Sequence, residues 1–313
     1  MEIRNLGRSG LRVSAIGLGC NNFGGRIGPA QTRAVVDAAI DHGITLFDTA
    51  DAYGNRGGSE TELGEALGAR RQDIVLATKF ALPMDDAETL KGASRRYIVH
   101  AVEASLKRLR TDWIDLLQQH RPDPLTPIEE TLRALDDLIR AGKVRYVGCS
   151  NLPSWQVVDA AWTAKACGLS GFVSCQDEYS LLQRDIEQEL IPAMQHLGLG
   201  LLPYFPLASG VLTGKYNRNL PKAEGARLWG SERLANRFLT DENLARAERL
   251  EAWARDRGRT LLELAFAWLL AQPAVASVIA GATSPAQIAQ NAAAGNWVLQ
   301  PDELAQIDTH LNE

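Results

Sequence analysis

The sequence predicts an α/β protein of the closed (β/α)8 TIM-barrel class, with an N-terminal β-hairpin ahead of the barrel and extra helices at its C-terminal end. The reading takes residues 1–313 as a single barrel domain. Three observations carry it. Short apolar runs alternate with amphipathic stretches along the whole chain, which implies parallel strands joined by helical crossovers. Eight strands with eight crossovers fit a closed barrel better than an open sheet. No linker or low-complexity break divides the chain.

The opening segment, Glu2 to Leu11, carries Gly7, Gly10 and mixed polar residues, and reads as a small hairpin. The candidate barrel strands are Val13–Leu18, Thr45–Phe47, Ile74–Ala77, Ile114–Leu117, Val144–Val147, Phe172–Ser174, Gly200–Pro203 and Ser277–Ile279. Between them, apolar residues at helical spacing mark Gln31–Asp41, Glu60–Leu67, Arg96–Leu109, Ile128–Arg140, Ser154–Ala166, Ile186–His196 and a long region across Glu242–Leu270. Two further helices, Pro285–Ala293 and Asp302–Leu311, follow the last strand. Gly43, Gly142 and Gly198 each follow a helix and precede a strand, where a left-handed C-cap belongs. Thr126 before Pro127 and Ser154 after Pro153 read as N-cap or first-turn signals. The stretch Thr213–Thr240 reads as a loop over the barrel mouth.

Composition narrows the function. Asp and Glu number 38 against 33 Lys and Arg, a net charge of −5, which is wrong for general nucleic-acid binding. No apolar run approaches the ~20 residues of a membrane span, and the N-terminus lacks the apolar core of a secretory signal. The four cysteines show no CxxC spacing, so free thiols in a cytoplasmic protein are expected, and no metal site is predicted.

In a barrel of this class the active site lies at the C-terminal ends of the strands. The second strand ends in Asp48, the third in Lys79, the fourth in His120 and the fifth in Ser150 and Asn151; the sixth reaches Gln176 and the seventh Tyr204. The second βα loop adds Tyr53. A free phenol, with a pKa near ~10, is a poor acid at neutral pH. A charged Lys79 held by Asp48 would favour the phenolate and lower that value. His120 could then hold a carbonyl oxygen. Such a site donates a proton to a developing alkoxide, which is half of a carbonyl reduction. The other half, a hydride, must come from a cofactor. Taken singly, an Asp–Lys pair is as often structural, and a lone Tyr usually packs. Four such residues on consecutive βα units are harder to attribute to chance.

At this point the chain resembles the aldo-keto reductases, closest to their bacterial and channel-β-subunit-like branches. The resemblance rests on Asp48-Thr49-Ala50-Asp51-Ala52-Tyr53-Gly54, Thr78-Lys79-Phe80, His120-Arg121-Pro122-Asp123-Pro124, Gly148-Cys149-Ser150-Asn151 and Gln176-Asp177-Glu178-Tyr179. It continues through Pro206–Tyr216 and Gly281-Ala282-Thr283-Ser284. It implies the same barrel, with Tyr53 as general acid, Lys79 and Asp48 tuning it, and His120 positioning the carbonyl. It also implies a nicotinamide cofactor, NADP(H) first and NAD(H) as a second. Ser150, Asn151 and Gln176 resemble residues that bind the carboxamide, and Tyr204 the aromatic that stacks on the ring. Leu207, Ser209, Gly210, Leu212 and Lys215 belong to a strap over the pyrophosphate. Gly281, Thr283, Gln287 and Asn291 would face the adenosine end. Many members carry Lys and Arg where this chain has Gly281 and Gln287, so weak discrimination against NADH is expected.

Two nucleotide motifs fail. Ile16–Asn22 begins like GxGxxG but has Asn22 in place of the third glycine, and Gly210–Tyr216 has the wrong spacing and ending for a P-loop. Phe23, Phe80 and Trp229 are candidate apolar walls of the substrate pocket. With only Arg26 and Arg121 as cations near the strand ends, the expected substrate is a neutral small-molecule aldehyde, ketone or sugar. The readings in contention are an NADPH-dependent carbonyl reductase, the same chemistry run as an alcohol or sugar dehydrogenase, a low-turnover NADP-binding regulatory module, and a Schiff-base aldolase using Lys79. Asp48 argues against the last by keeping the amine protonated.

Overall fold

The computed structural model describes residues 1–216, 228 and 232–312. Two short strands, β1 (Ile3–Asn5) and β2 (Arg12–Ser14), pair antiparallel as the expected hairpin. Eight parallel strands follow: β3 (Ile16–Gly19), β4 (Leu46–Asp48), β5 (Val75–Phe80), β6 (Ile114–Gln119), β7 (Val144–Ser150), β8 (Ser174–Gln176), β9 (Gly200–Leu201) and β10 (Val278–Gly281). Their order is sequential from β3 to β9, with β10 beside β3. The ring closes where Leu201 N–H donates to Ala274 O (2.7 Å), Ala276 N–H to Leu201 O (2.9 Å) and Ile279 N–H to Pro203 O (3.0 Å). The barrel is therefore complete, as the strand count predicts.

The helices are α1 (Pro29–Asp41), α2 (Tyr53–Leu67), α3 (Arg95–Leu109), α4 (Ile128–Arg140), α5 (Ser154–Cys167), α6 (Leu190–Leu197), α7 (Glu232–Phe238), α8 (Asp241–Arg255), α9 (Leu261–Leu270), α10 (Pro285–Ala294) and α11 (Pro301–Asn312). Gly43, Gly142 and Gly198 all have positive φ, as a left-handed helix stop requires.

Several boundaries differ from expectation. Val13–Leu18 is two elements: the chain leaves the hairpin at Ser14 and enters the barrel at Ile16. The sixth strand lies two residues later than Phe172–Ser174, although Val173 N–H already donates to Val147 O (2.8 Å) ahead of it. The long region Glu242–Leu270 breaks at Gly258, with φ +68, and restarts at a capping box in which Thr260 and Glu263 satisfy each other's backbone N–H. Ile186–His196 divides into a 3-10 turn, Asp185–Glu187, and α6. The stretch Thr213–Thr240 contains α7. Ser154 opens the first turn of α5 behind an N-cap Pro153, as expected, whereas Thr126 lies one residue before the N-cap Pro127 of α4 and donates to Asp123 (2.8 Å).

Inside the barrel, polarity changes along each strand. Leu46, Ala77, Leu116, Leu202, Ala276 and Ile279 form one apolar cluster with Leu6 and Val13 of the hairpin segment. Two residues further along three of these strands stand Asp48, Lys79 and Gln118, on the same face because the side-chain period is 2. The hairpin plugs the N-terminal end. A methyl at Gly7 (φ +59) would lie 2.5 Å from Gly198 O, so the two segments meet backbone to backbone.

Candidate active site

Lys79 is fully buried at the end of β5, a position only an ion pair makes tolerable. Its Nζ donates to Asp48 Oδ2 (2.6 Å) and to Thr49 O (2.9 Å). The other carboxylate oxygen, Asp48 Oδ1, accepts from Gln118 Nε2 (3.0 Å) and Gln176 Nε2 (2.9 Å). The pair is thus desolvated yet fully hydrogen-bonded, the condition under which a buried ion pair holds its geometry. Burial works against the Lys79 ammonium, but Asp48 and Tyr53 outweigh it and hold the pKa above its ordinary value.

Tyr53 and His120 complete the cluster. Lys79 Nζ sits 5.0 Å from the centre of the Tyr53 ring, and the Tyr53 and His120 rings meet edge to face at 5.6 Å. The four residues expected to converge do so. One expectation is corrected. Burial of the phenol raises the Tyr53 pKa, and the Lys79 ammonium offsets only part of the rise, so the net shift is upward. Burial, then Lys79 and Arg121, push His120 down to about 2, so its ring is neutral. His120 Nδ1 is buried without a hydrogen-bond partner in the protein.

Tyr53 opens onto an unusual stretch of backbone. Gly54, Asn55, Arg56 and Gly57 all have positive φ, making a left-handed turn before α2 becomes regular. Asn55 and Arg56 pay a steric penalty there of roughly 1–2 kcal/mol each. Gly54 and Gly58 lie against the backbone of Phe23 and Gly24, closing the first loop onto the second. Arg56 then pairs with Asp86 of the next loop (2.7 Å). Arg56 is thus a further cation on the second βα loop, beside the expected Arg26 and Arg121, and it is held by Asp86.

The residues expected to hold a dinucleotide line the same end. Ser150 and Gln176 are register neighbours on β7 and β8. Asn151, in the left-handed region at φ +61, has its amide committed: Oδ1 accepts from Tyr204 (2.7 Å), and Nδ2 donates to His120 O (3.2 Å) and Ser150 Oγ (2.7 Å). It fixes the Tyr204 ring rather than presenting free donors. Ala208, Ser209 and Gly210 are consecutive left-handed residues, and the buried Ser209 hydroxyl has no partner in the protein. Two of their N–H groups are used within the loop, Ala208 on Phe205 O (2.9 Å) and Gly210 on Leu207 O (2.7 Å), which leaves the Ser209 hydroxyl as the unpartnered donor of the turn. Leu207, Leu212 and exposed Lys215 flank them. At the far end Gln287 Oε1 accepts from Thr283 N–H (2.8 Å) and Thr283 Oγ1 (3.2 Å), and Asn291 is buried one turn on. Gly281 lies against Asn21 and Asn22: a Cβ there would stand 3.3 Å and 3.2 Å from their amides. The orphaned Ser209 hydroxyl and the exposed Lys215 ammonium fit a dinucleotide's phosphates.

The substrate-wall candidates fare differently. Phe23 and Phe80 are 0% and 1% exposed and belong to the outer core, so neither faces an open pocket. For Phe80 the reason is the strand period: Lys79 points inward, so its neighbour points out to the helices. Trp229 lies outside the described residues. Gln118 is the residue sequence reasoning missed. It shares the inward face of β6 with Leu116, and that alternation could have found it. Among the described residues no cluster of His, Cys, Asp or Glu could hold a metal, and no helix is long and apolar enough to cross a membrane. The cysteines Cys20, Cys149, Cys167 and Cys175 are free.

This barrel, with its Asp, Lys, Tyr and His at the strand ends, defines a class, and the comparisons place the chain in it. Residues 15–312 match the model of the aldo/keto reductase family. The chain belongs to that family. Among its curated relatives are two plant proteins named probable voltage-gated potassium channel subunit beta. The Arabidopsis thaliana protein is 41% identical over 301 residues, covering 93% of this chain and 90% of its own. The Oryza sativa protein is 41% identical over 297 residues with the same coverage. A Schizosaccharomyces pombe protein named putative voltage-gated potassium channel subunit beta is 39% identical over 325 residues, covering all of this chain and 94% of its own.

Proposed function

We propose that this chain is an NADPH-dependent oxidoreductase that reduces a small aldehyde or ketone to an alcohol. One observation carries the reading: a buried, fully hydrogen-bonded Asp48–Lys79 pair beneath a phenol and a neutral imidazole at the barrel mouth. Tyr53 gives its phenolic hydrogen to the carbonyl oxygen as negative charge grows there. The Lys79 ammonium steadies the phenolate left behind. His120, neutral because charging it in that pocket is too costly, holds the carbonyl oxygen by an N–H hydrogen bond without competing as the acid. Proton donation of this kind is worth about 10²–10⁴ in rate. The same Asp48 that holds Lys79 charged removes the free amine a Schiff base needs.

When bound, a reduced nicotinamide supplies the hydride that no side chain can. Ser150 and Gln176 would meet its carboxamide, and Tyr204, fixed by Asn151, would pack on its ring. Ser209, Gly210 and Lys215 suit the pyrophosphate, flanked by Leu207 and Leu212. Thr283, Gln287, Asn291 and the open edge at Gly281 would take the adenosine end. With no cation at 281 or 287, NADPH should be preferred only modestly over NADH. Comparing kcat/KM for the two cofactors tests this, and a preference above about a thousandfold would contradict it. Free thiols suit a reducing, cytoplasmic setting.

The relatives' names favour a second reading, an accessory subunit of a channel; in this chain that role would mean holding the cofactor with little turnover. A panel of aldehydes, ketones and sugars, followed at the reduced-nicotinamide absorbance band, separates the two. Turnover that disappears in Tyr53→Phe supports the reductase. Tight NADPH binding with negligible turnover of every carbonyl supports the accessory role.

A further inference from the structure

Behind the site, on the helix side of β4 and β5, lies a second group of buried charges that the chemistry above does not use. Asp51 and Glu60 are 1% and 0% exposed. Glu60 is well provided for: Oε1 accepts from Thr78 (2.5 Å) and Oε2 pairs with Arg108 Nε (2.7 Å). Asp51 is not. Its Oδ1 has no hydrogen-bond partner, and the carboxyl's other contacts are a local one from the Ala52 backbone N–H and a long one to Oδ2 from the Tyr97 hydroxyl (3.5 Å), which lies equally far from Leu82 O. The charged and titratable groups facing Asp51 are Glu60 from α2 and Arg108 and Tyr97 from α3; Asp85 of the following loop acts on Tyr97. Two carboxyls therefore share one guanidinium, and Glu60 holds it. A second bare carboxylate in that space would lack both solvent and a counter-ion.

Asp51 also stands where it can govern Tyr53. Its backbone N–H donates to Lys79 O (3.1 Å), and Thr49 N–H donates to Ala77 O (2.9 Å), so residues 49–51 lie along the end of β5. The Thr49 hydroxyl bonds that of Ser59 (2.8 Å), which donates to Cys20 O (2.7 Å). Tyr53 follows two residues later with its N–H on Ala50 O (3.2 Å).

We infer that Asp51 is a positioning residue for Tyr53 and that it acts as an uncharged carboxylic acid, packed against Glu60, whose ionisation would force the Asp48–Tyr53 segment away from β5. The effect on turnover rests on the reductase reading; the protonation state does not. Burial first, and Glu60 second, push the Asp51 pKa up to about 8. In the unfolded chain the same group gives up its proton near 3.8. Between these values the folded chain holds a proton that the unfolded chain has lost, so stability falls as pH rises across that window.

The test is Asp51→Asn, which keeps the shape and fixes the neutral state. Urea unfolding of the full chain, followed from pH 5 to 8, should show the variant gaining on wild type as pH rises. With NADPH and a carbonyl substrate, the variant should keep kcat near that of wild type at neutrality with KM unchanged. The alkaline midpoint of its kcat profile should move up by about one unit or more. If Asp51→Asn does not fold, Glu60→Gln carries the test: with Arg108 free to serve Asp51, the fall in stability toward pH 8 should be shallower than in wild type. Parallel unfolding curves in the variant that folds overturn the assignment. A widening stability gap in a chain that reduces no carbonyl overturns the reductase reading and leaves the Asp51 proton standing. A widening gap with an unmoved kcat profile overturns the positioning role.

Discussion

The two ends of the barrel are built on the same strands and behave as different materials. At the N-terminal end Leu46, Ala77, Leu116 and Ile279 pack with Leu6 and Val13, and the hairpin seals them from below. At the C-terminal end, two residues further along three of these strands, Asp48, Lys79 and Gln118 form a dry polar network. The same strands supply both ends; what differs is the side chains they present. One end buries carbon without conditions. The other buries charge only because each oxygen and nitrogen of the Asp48–Lys79 pair finds a partner. Above it lie the unpartnered His120 Nδ1 and Ser209 Oγ and the left-handed run from Gly54 to Gly57. The C-terminal end is thus the one where a buried ion pair, an unpartnered imidazole nitrogen and left-handed backbone occur together.

Substitutions at each end should break the two functions separately. The largest effect is expected for Lys79→Met, which leaves Asp48 buried without its counter-ion. Breaking a buried pair costs about 3–5 kcal/mol, and turnover should fall by at least about a hundredfold; denaturant unfolding and kcat check the two. Next, Gly7→Ala at the sealed end puts a methyl 2.5 Å from Gly198 O at a residue with φ +59. It should lower stability by about 2 kcal/mol or more while kcat of the folded protein is unchanged.

His120 sharpens the contrast through pH. Its folded pKa, about 2, lies below the ordinary 6.5. The unfolded chain therefore takes up a proton that the folded chain refuses as pH drops through 6.5 toward 2. Stability is fully present above that window and is lost on descending through it. His120→Gln should flatten this acid slope, and kcat/KM of wild type should show no imidazole inflection near 6.5. The smallest effect is expected for Gln287→Arg, which supplies a cation at the adenosine end. One charge-assisted hydrogen bond is worth roughly 1.5–3 kcal/mol, so the ratio of NADPH to NADH kcat/KM should rise by about tenfold to a hundredfold.

The sequence carried the barrel, because eight apolar runs and their glycine stops are local signals. It also carried the convergence of Asp48, Tyr53, Lys79 and His120, because strand ends in a parallel barrel share one face. What it concealed depends on neighbours in space. The net rise of the Tyr53 pKa comes from packing that no spacing reveals. Phe23 and Phe80 read as pocket walls from their place in the chain, yet both are buried in the outer core. Asn151 reads as a ligand donor and proves to be tied to Tyr204. Gln118 was within reach, since its alternation with Leu116 on β6, continued by His120 just past the strand, puts it beside Asp48.

The central claim is that the Tyr53 hydroxyl is the proton donor, and replacing that one oxygen tests it most directly. Tyr53→Phe should bind NADPH as wild type does, by fluorescence titration, and should lose carbonyl reduction by about 10²–10⁴ in kcat. A variant that binds the cofactor and turns over at close to the wild-type rate would contradict the claim.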